Sequence, residues 1–172
     1  GYRPGDRVIA MNPPKRDGSG SWQQYVTISA ALLAPAPQSV DLLNAATLPL
    51  AALTADQALQ RLDLRPDDRL LITGAAGSVG GMAVQLAAAA GLRPVGLVSR
   101  PEHEQVALDL GATAAYSSLA AAGHFDAVFD TAGVFDHPGL LCEGGRLVTV
   151  SDDTIPAALE HRAAFAAVSY TH

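Results

Sequence analysis

Apolar and polar positions change their period along this chain, and the changes outline its elements. Residues 70–72, Leu-Leu-Ile, are a short continuous apolar run. The apolar positions then fall at Val79, Met82, Ala83, Leu86 and Ala90, one face of a helix over 77–90. Between run and helix lies Thr73-Gly74-Ala75-Ala76-Gly77-Ser78-Val79-Gly80, so the spacing predicts strand, glycine-rich turn and helix in direct succession. Further strands are expected over 95–98, 113–116, 126–130, 146–150 and 163–170, with a helix over 101–110 stopped by Gly111. Strands alternating with helices of this length give an α/β fold built on a doubly wound parallel sheet.

Upstream the pattern is different. Residues 6–10 and 22–28 read as strands joined by a loop over 12–20 that is rich in Pro, Gly and charge, and Pro35 and Pro37 close this β-like part. Ser39 or Asp41 caps a following helix, and a second helix covers 50–62 before a turn at 65–68. The expected division is therefore a partial β domain over 1–40 and a nucleotide-binding domain over 41–172.

The glycine turn has the form of a phosphate cradle. Gly74 suits the tight turn, Gly77 removes a side chain where a pyrophosphate must approach, and Gly80 lets the helix lie close on the sheet. The first helical amides, unpaired and at the positive end of the dipole, then face the ligand. A triphosphate loop would need Gly-Lys-Ser/Thr at its end, and Gly80 is followed by Gly81 and Met82. Where the second strand ends, an NAD-selective site would place an acidic residue on the ribose hydroxyls, whereas this chain has Ser99-Arg100-Pro101-Glu102-His103. Arg100 and Ser99 suit a 2′-phosphate, with His103 as a third contact, so NADPH is the expected cofactor. Glu102 and Glu104 are expected to face away from it. By the rule that ligands sit beyond the carboxyl ends of parallel strands, the rim comprises 74–80, Ser99, Arg100, Thr131, Ala132, Gly133 and Ser151.

Composition narrows the class. With 172 residues and 49% hydrophobic content, the chain can bury a sizeable core. A net charge of -6 without a run of Lys or Arg argues against nucleic acid or an anionic membrane as partner. The single cysteine, Cys142, excludes a disulfide framework and a cysteine-rich zinc site, and fits the reducing cytoplasm. No apolar run is long enough to span a bilayer.

Several motifs together resemble the medium-chain dehydrogenase/reductase superfamily, in its zinc-independent quinone oxidoreductase branch. Pro4-Gly5-Asp6-Arg7-Val8 and Gly20-Ser21-Trp22-Gln23-Gln24-Tyr25-Val26 resemble segments of that family's catalytic domain. Leu53-Thr54-Ala55-Asp56-Gln57-Ala58-Leu59 is similar to its Leu-Thr-Ala-x-x-Ala-Leu helix. Residues 74–80 match its nucleotide loop, and Asp130-Thr131-Ala132-Gly133 with Gly144-Gly145-Arg146-Leu147-Val148 complete the set. The resemblance implies a Rossmann domain preceded by an incomplete segment of a GroES-like catalytic domain, and a chain that is an excised core lacking both its N-terminal start and its C-terminal continuation. It implies hydride transfer from NADPH to a quinone or an α,β-unsaturated carbonyl without zinc. Thr54 is then placed near the nicotinamide, Ser78 and Val79, with Ala76 in the same loop, at the pyrophosphate, and Ser99 with Arg100 at the 2′-phosphate. A homodimer is implied for the intact protein. The family's usual tyrosine near the third strand end aligns with Ser118, with Tyr116 two positions earlier.

No catalytic acid stands out. Thr54 is the one candidate for meeting a developing oxyanion, and as a helix-start hydroxyl it reads equally as a cap. The histidines at 124, 137, 161 and 172 lack ligand spacing, so no metal site is expected. A short-chain dehydrogenase needs Tyr-x-x-x-Lys, but Tyr2, Tyr25 and Tyr116 are followed at that distance by Asp6, Ser29 and Ala120. Two other readings stay open: an enoyl reductase segment of a polyketide synthase, and a non-catalytic NADPH-binding module.

Overall fold

A computed structural model describes residues 1–11, 20–150 and 163–165, the last three as backbone. Two compact units emerge, one covering Gly1–Leu50 and the other running from Ala51.

In the first unit β1 (Val8–Ala10) pairs antiparallel with β2 (Leu33–Pro35), Ile9 lying opposite Ala34. The expected strand over 22–28 is not formed, and the partner of β1 lies further along. An alternating segment becomes a strand only when a sheet covers its apolar face, and among the described residues nothing covers Trp22, which is fully exposed, or Tyr25, which is 89% exposed. Pro35 sits inside the pairing rather than closing it, as an edge strand permits. Next comes α1 (Leu42–Ala45), capped by Asp41, whose carboxylate accepts from the Asn44 amide at 2.8 Å and from the Asn44 side chain at 2.7 Å.

The second unit is built on six parallel strands. Helix α2 (Leu48–Leu62) leads into β3 (Arg69–Thr73), α3 (Ser78–Ala89) and β4 (Arg93–Leu97). A 3-10 turn over Pro101–His103 passes into α4 (Glu104–Asp109), followed by β5 (Ala114–Tyr116), β6 (Phe125–Asp130), β7 (Leu141–Thr149) and β8 (Ala163–Phe165). The spatial order is β5-β4-β3-β6-β7-β8, so the chain reverses direction across the sheet between β3 and β6. This is the expected α/β Rossmann arrangement, and its crevice lies at that reversal.

Every element follows from its residues. The strand β3 buries Leu71 on one face and Leu70 and Ile72 on the other, all at 0% exposure. Helix α3 ends where Gly91 takes φ +77°, allowing the Leu92 amide to reach back to the Ala87 carbonyl at 3.0 Å. Strand β7 is longer than its 146–150 pattern because Leu141 also pairs with Phe125; the register then shifts, and Ala127 lies opposite Arg146. Gly144, at φ +73°, accommodates that bulge.

Helices α2, α3 and α4 all feed one buried cluster, through Ala55, Ala58 and Leu62, Ala83, Val84 and Ala87, and Ala107 respectively. The opposite cluster, around Leu71, Val95, Phe125, Val128 and Leu147, contains no residue from these helices. It is closed by Ala122 and Phe135 from the short connections before and after β6. Gly96 in β4 sets the spacing on the helix side: a Cβ there would lie 2.9 Å from the Ala75 methyl and 3.0 Å from that of Ala107. It is this glycine, within a strand, that lets α4 and the turn after β3 close on the sheet. Gly80, which the sequence assigns to close packing, is crowded by the turn instead, its Cβ position lying only 2.2 Å from the Gly74 carbonyl oxygen.

Two outcomes follow from these contacts. Gly96→Ala should destabilise the chain by about 1–3 kcal/mol through overpacking against two fixed methyls; an unchanged denaturation midpoint would show that α4 and the turn can back away. The hydrogen bonds from Asn44 hold the Asp41 carboxyl below its ordinary 3.8. Its stabilisation of α1 is therefore present above that value and lost as pH falls through the lowered one. The Asn44 amide resonance should titrate with a midpoint below 3.8, and a midpoint at or above it would mean the cap is absent in solution.

Candidate functional site

At the carboxyl ends of the strands lies a cleft of about 470 Å³. Gly74, Ala76 and Gly77 of the turn after β3 line it on one side, and Leu97, Val98, Ser99 and His103 after β4 line the next. Ser117 after β5 and Ala132 and Val134 after β6 complete it. Four strand ends thus converge on one space, as the sheet reversal requires.

The turn itself is fixed by backbone. Gly74 adopts φ +61°, a left-handed conformation, and its carbonyl accepts from the Gly77 amide at 2.8 Å. The Ala75 amide donates to the Leu97 carbonyl at 3.1 Å, tying the turn to β4. A Cβ on Gly77 would lie 3.1 Å from the Gly74 carbonyl oxygen, and one on Gly74 would lie 2.8 Å from Thr131 Oγ1. Helix α3 begins at Ser78 with Gly77 as N-cap, and no side chain caps it. Its first amides, from Ser78, Val79 and Gly80, are left to an outside acceptor. An uncapped helix start beside a glycine cradle fits the diphosphate of a dinucleotide.

The remaining sequence-derived residues divide between inside and outside. Ser99 and His103 line the cleft. Arg100 does not: its guanidinium lies 3.9 Å from the Glu102 carboxylate, and both side chains are about two-thirds exposed. Glu102 thus faces solvent as expected. Glu104 departs from expectation, since it is half-buried and accepts from the amide of cleft-lining Ser117 at 2.8 Å. A helix-start carboxylate that can satisfy a backbone amide at a strand end does so in preference to solvent. Thr54 sits in the middle of α2, which starts at Leu48, so the capping role does not apply. It is only 4% exposed and has no hydrogen-bond partner among the described residues, although it is not among the residues lining the cleft. Ser151 lies outside the described residues.

Beside the cleft, β3 and β6 end in a buried polar network. The Thr73 hydroxyl, at 0% exposure, donates to Asp130 Oδ1 at 2.5 Å and accepts from the Thr131 and Ala132 amides at 2.9 and 3.1 Å. The Thr131 hydroxyl donates back to the Thr73 carbonyl at 2.6 Å. Asp130 also accepts from the amides of Ala132, Val134 and Phe135 at 3.3, 3.2 and 3.0 Å. Gly133 supports the turn between them at φ +68° without lining the cleft. The sequence reading gave Thr131, Ala132 and Gly133 a place at the site, quoted Thr73 and Asp130 in their motifs without a role there, and did not single out Leu97, Val98, Ser117 and Val134. The signal was available, because each stands at or just beyond the end of a parallel strand.

A second cavity, of about 460 Å³, lies at the opposite ends of the strands. Its polar groups hold the structure together: Asp126 accepts from the Arg69 amide at 2.8 Å, and Arg146 donates to the Leu62 carbonyl at 2.9 Å. Among the described residues no group of His, Cys, Asp and Glu could hold a metal ion, and no helix is long and apolar enough to cross a membrane.

No protein-family model matches the chain. Among curated proteins, the NADPH-dependent alkenal/one oxidoreductase of Arabidopsis thaliana chloroplasts is 31% identical over 154 residues, which cover 86% of this chain and 39% of that protein. The quinone oxidoreductase of Thermus thermophilus, solved also in complex with NADPH, superposes with a TM-score of 0.80 at 35% identity, covering 96% of this chain and 57% of that one. The CurK enoyl reductase superposes at 0.69 with 28% identity, covering 81% of this chain and 48% of that one. The chain thus spans well under two thirds of the length of each of these relatives. With its sheet order, glycine cradle and these likenesses taken together, the chain belongs to the medium-chain dehydrogenase/reductase superfamily.

Proposed function

We propose that this chain is the nucleotide-binding segment of an NADPH-dependent reductase that delivers hydride to a quinone or an α,β-unsaturated carbonyl without zinc. The observation that carries the reading is the uncapped start of α3 behind a turn in which Gly80 leaves no room for a Cβ and Gly74 and Gly77 leave little. Such a cradle suits a diphosphate, and the NADPH-dependent alkenal/one oxidoreductase and the quinone oxidoreductase crystallised with NADPH support the cofactor. When bound, NADPH supplies the hydride.

The chain's own part is to bind and orient. The amides of Ser78, Val79 and Gly80 hold the diphosphate, and Ser99 and His103 meet the 2′-phosphate from the end of β4. Arg100 joins them by leaving Glu102; an exposed pair at 3.9 Å contributes at most about 1 kcal/mol and yields readily to a dianionic phosphate. The buried Thr54 hydroxyl, with no partner among the described residues, is available to the nicotinamide end. Such positioning supplies much of the acceleration of a hydride transfer, so no acid from this segment is required.

A second reading, an enoyl reductase segment of a polyketide synthase, is supported by the likeness to the CurK enoyl reductase. It uses the same cradle and differs in what the rest of the protein presents to it.

Two measurements test the proposal. Arg100→Ala and His103→Ala should each weaken NADPH by about 1–3 kcal/mol in calorimetry while leaving NADH nearly unchanged; equal losses for both cofactors would remove that residue from the 2′-phosphate. Gly77→Val should abolish binding of both by filling the cradle. For turnover, the intact protein should consume NADPH with a quinone or enone panel and be indifferent to chelator. Chelator-sensitive alcohol oxidation would refute the zinc-free assignment, and preference for an enoyl thioester would favour the second reading.

A further inference from the structure

We infer that the Thr73–Asp130 pair is a positioning device which fixes the loop over 131–135 as the wall for the nicotinamide half of the cofactor. The inference rests on the cofactor reading above. It adds a residue pair that touches no ligand yet determines where the ligand lies.

Four observations converge. First, Asp130 is 5% exposed, and among the described residues no cation lies within ion-pair distance of it. A buried carboxylate of this kind persists only when hydrogen bonds replace its water. Second, its bonds all come from two of the four strand ends that form the cleft: the Thr73 hydroxyl at the end of β3, and the amides of Ala132, Val134 and Phe135 beyond β6. Third, two of those amide donors, Ala132 and Val134, belong to residues that line the cleft, and Phe135, only 3% exposed, is packed in the buried cluster around Leu71, Phe125 and Val128. The loop is therefore held at both margins by one carboxylate. Fourth, the Thr73 hydroxyl is used in both directions, donating to Asp130 and accepting from Thr131 and Ala132. Among side chains of similar size, only serine does both strongly from a single atom.

The position of this network assigns the half of the ligand it controls. In a sheet of this order the two mononucleotide halves lie on either side of the reversal. The adenosine half belongs to β3, β4 and β5, whose ends carry Ser99, His103 and Ser117. The loop after β6 faces the other half. Loosening it should weaken a ligand that spans the reversal and spare one that stops short of it.

That asymmetry is the test. NADPH and adenosine 2′,5′-bisphosphate, which lacks the nicotinamide half, are titrated into the chain by calorimetry. Thr73→Val removes the hydroxyl and its three hydrogen bonds at nearly constant shape and should weaken NADPH about tenfold. It should change the bisphosphate by less than about twofold, the usual independence of distant sites. Thr73→Ser should restore NADPH affinity. Hydrogen exchange at the Val134 and Phe135 amides should accelerate in Thr73→Val and in Asp130→Asn, and return to normal in Thr73→Ser. If Thr73→Val does not fold, Thr131→Val, which removes only the bond to the Thr73 carbonyl, should show a smaller loss with the same asymmetry.

Wild-type affinity for NADPH in a folded variant would overturn the assignment, as would equal losses for the two ligands, since that is the mark of general damage. A wild-type chain that binds neither ligand would instead defeat the cofactor reading itself.

Discussion

A carboxylate without a counter-ion among the described residues, at the point where the sheet reverses, is the constraint on which this α/β unit depends. Removing Asp130 from water costs several kcal/mol unless donors are supplied. The chain supplies four, three of them backbone amides from a single loop. Satisfying the charge and shaping the loop are thus the same event. The end of β3, the wall of the cleft and the insertion of Phe135 into the core are all set by where that carboxylate lies.

The opposite side of the cleft is shaped by exclusion. The turn after β3 is so tight that a Cβ on Gly80 would collide with the backbone of Gly74, and one on Gly74 would press on Thr131. These contacts join the turn to its own helix and to the loop after β6. Gly96 does the corresponding task within the sheet, where the methyls of Ala75 and Ala107 occupy the space a side chain would need. Glycines at such places are dictated by crowding from neighbours, whether or not a ligand is bound.

Much of this was legible in the sequence. Period and punctuation located β3, α3, β4, β6 and the stop at Gly91, because burial on one or both faces imposes a period that local residues report. The glycine turn was recognisable from the strand before it and the helix after it. What was not legible depended on contacts distant in sequence. The alternation over 22–28 has the look of a strand, but a strand also needs a sheet to cover it, and Trp22 and Tyr25 remain exposed. Glu104 was expected to face outward on electrostatic grounds, and the amide of Ser117, 13 residues away, captured it instead. Arg100 has the chemistry for a 2′-phosphate, yet its side chain stands exposed beside Glu102 and does not line the cleft. Asp130 was visible as part of a motif, but its importance comes from Thr73, 57 residues earlier.

The absence of α2, α3 and α4 from one of the two buried clusters has a consequence for how the crevice breathes. The residues that close that cluster, Ala122 and Phe135, come from the same short connections that present Ser117 and Val134 to the opening. Widening the mouth on that side therefore means withdrawing an aromatic ring from apolar surroundings, a step that costs about 2–3 kcal/mol. At that cost the widened form is populated at about one per cent. The mouth of the crevice should accordingly be preorganised on this flank, while the exposed side chains of Arg100 and Glu102 stay free to adapt to a ligand.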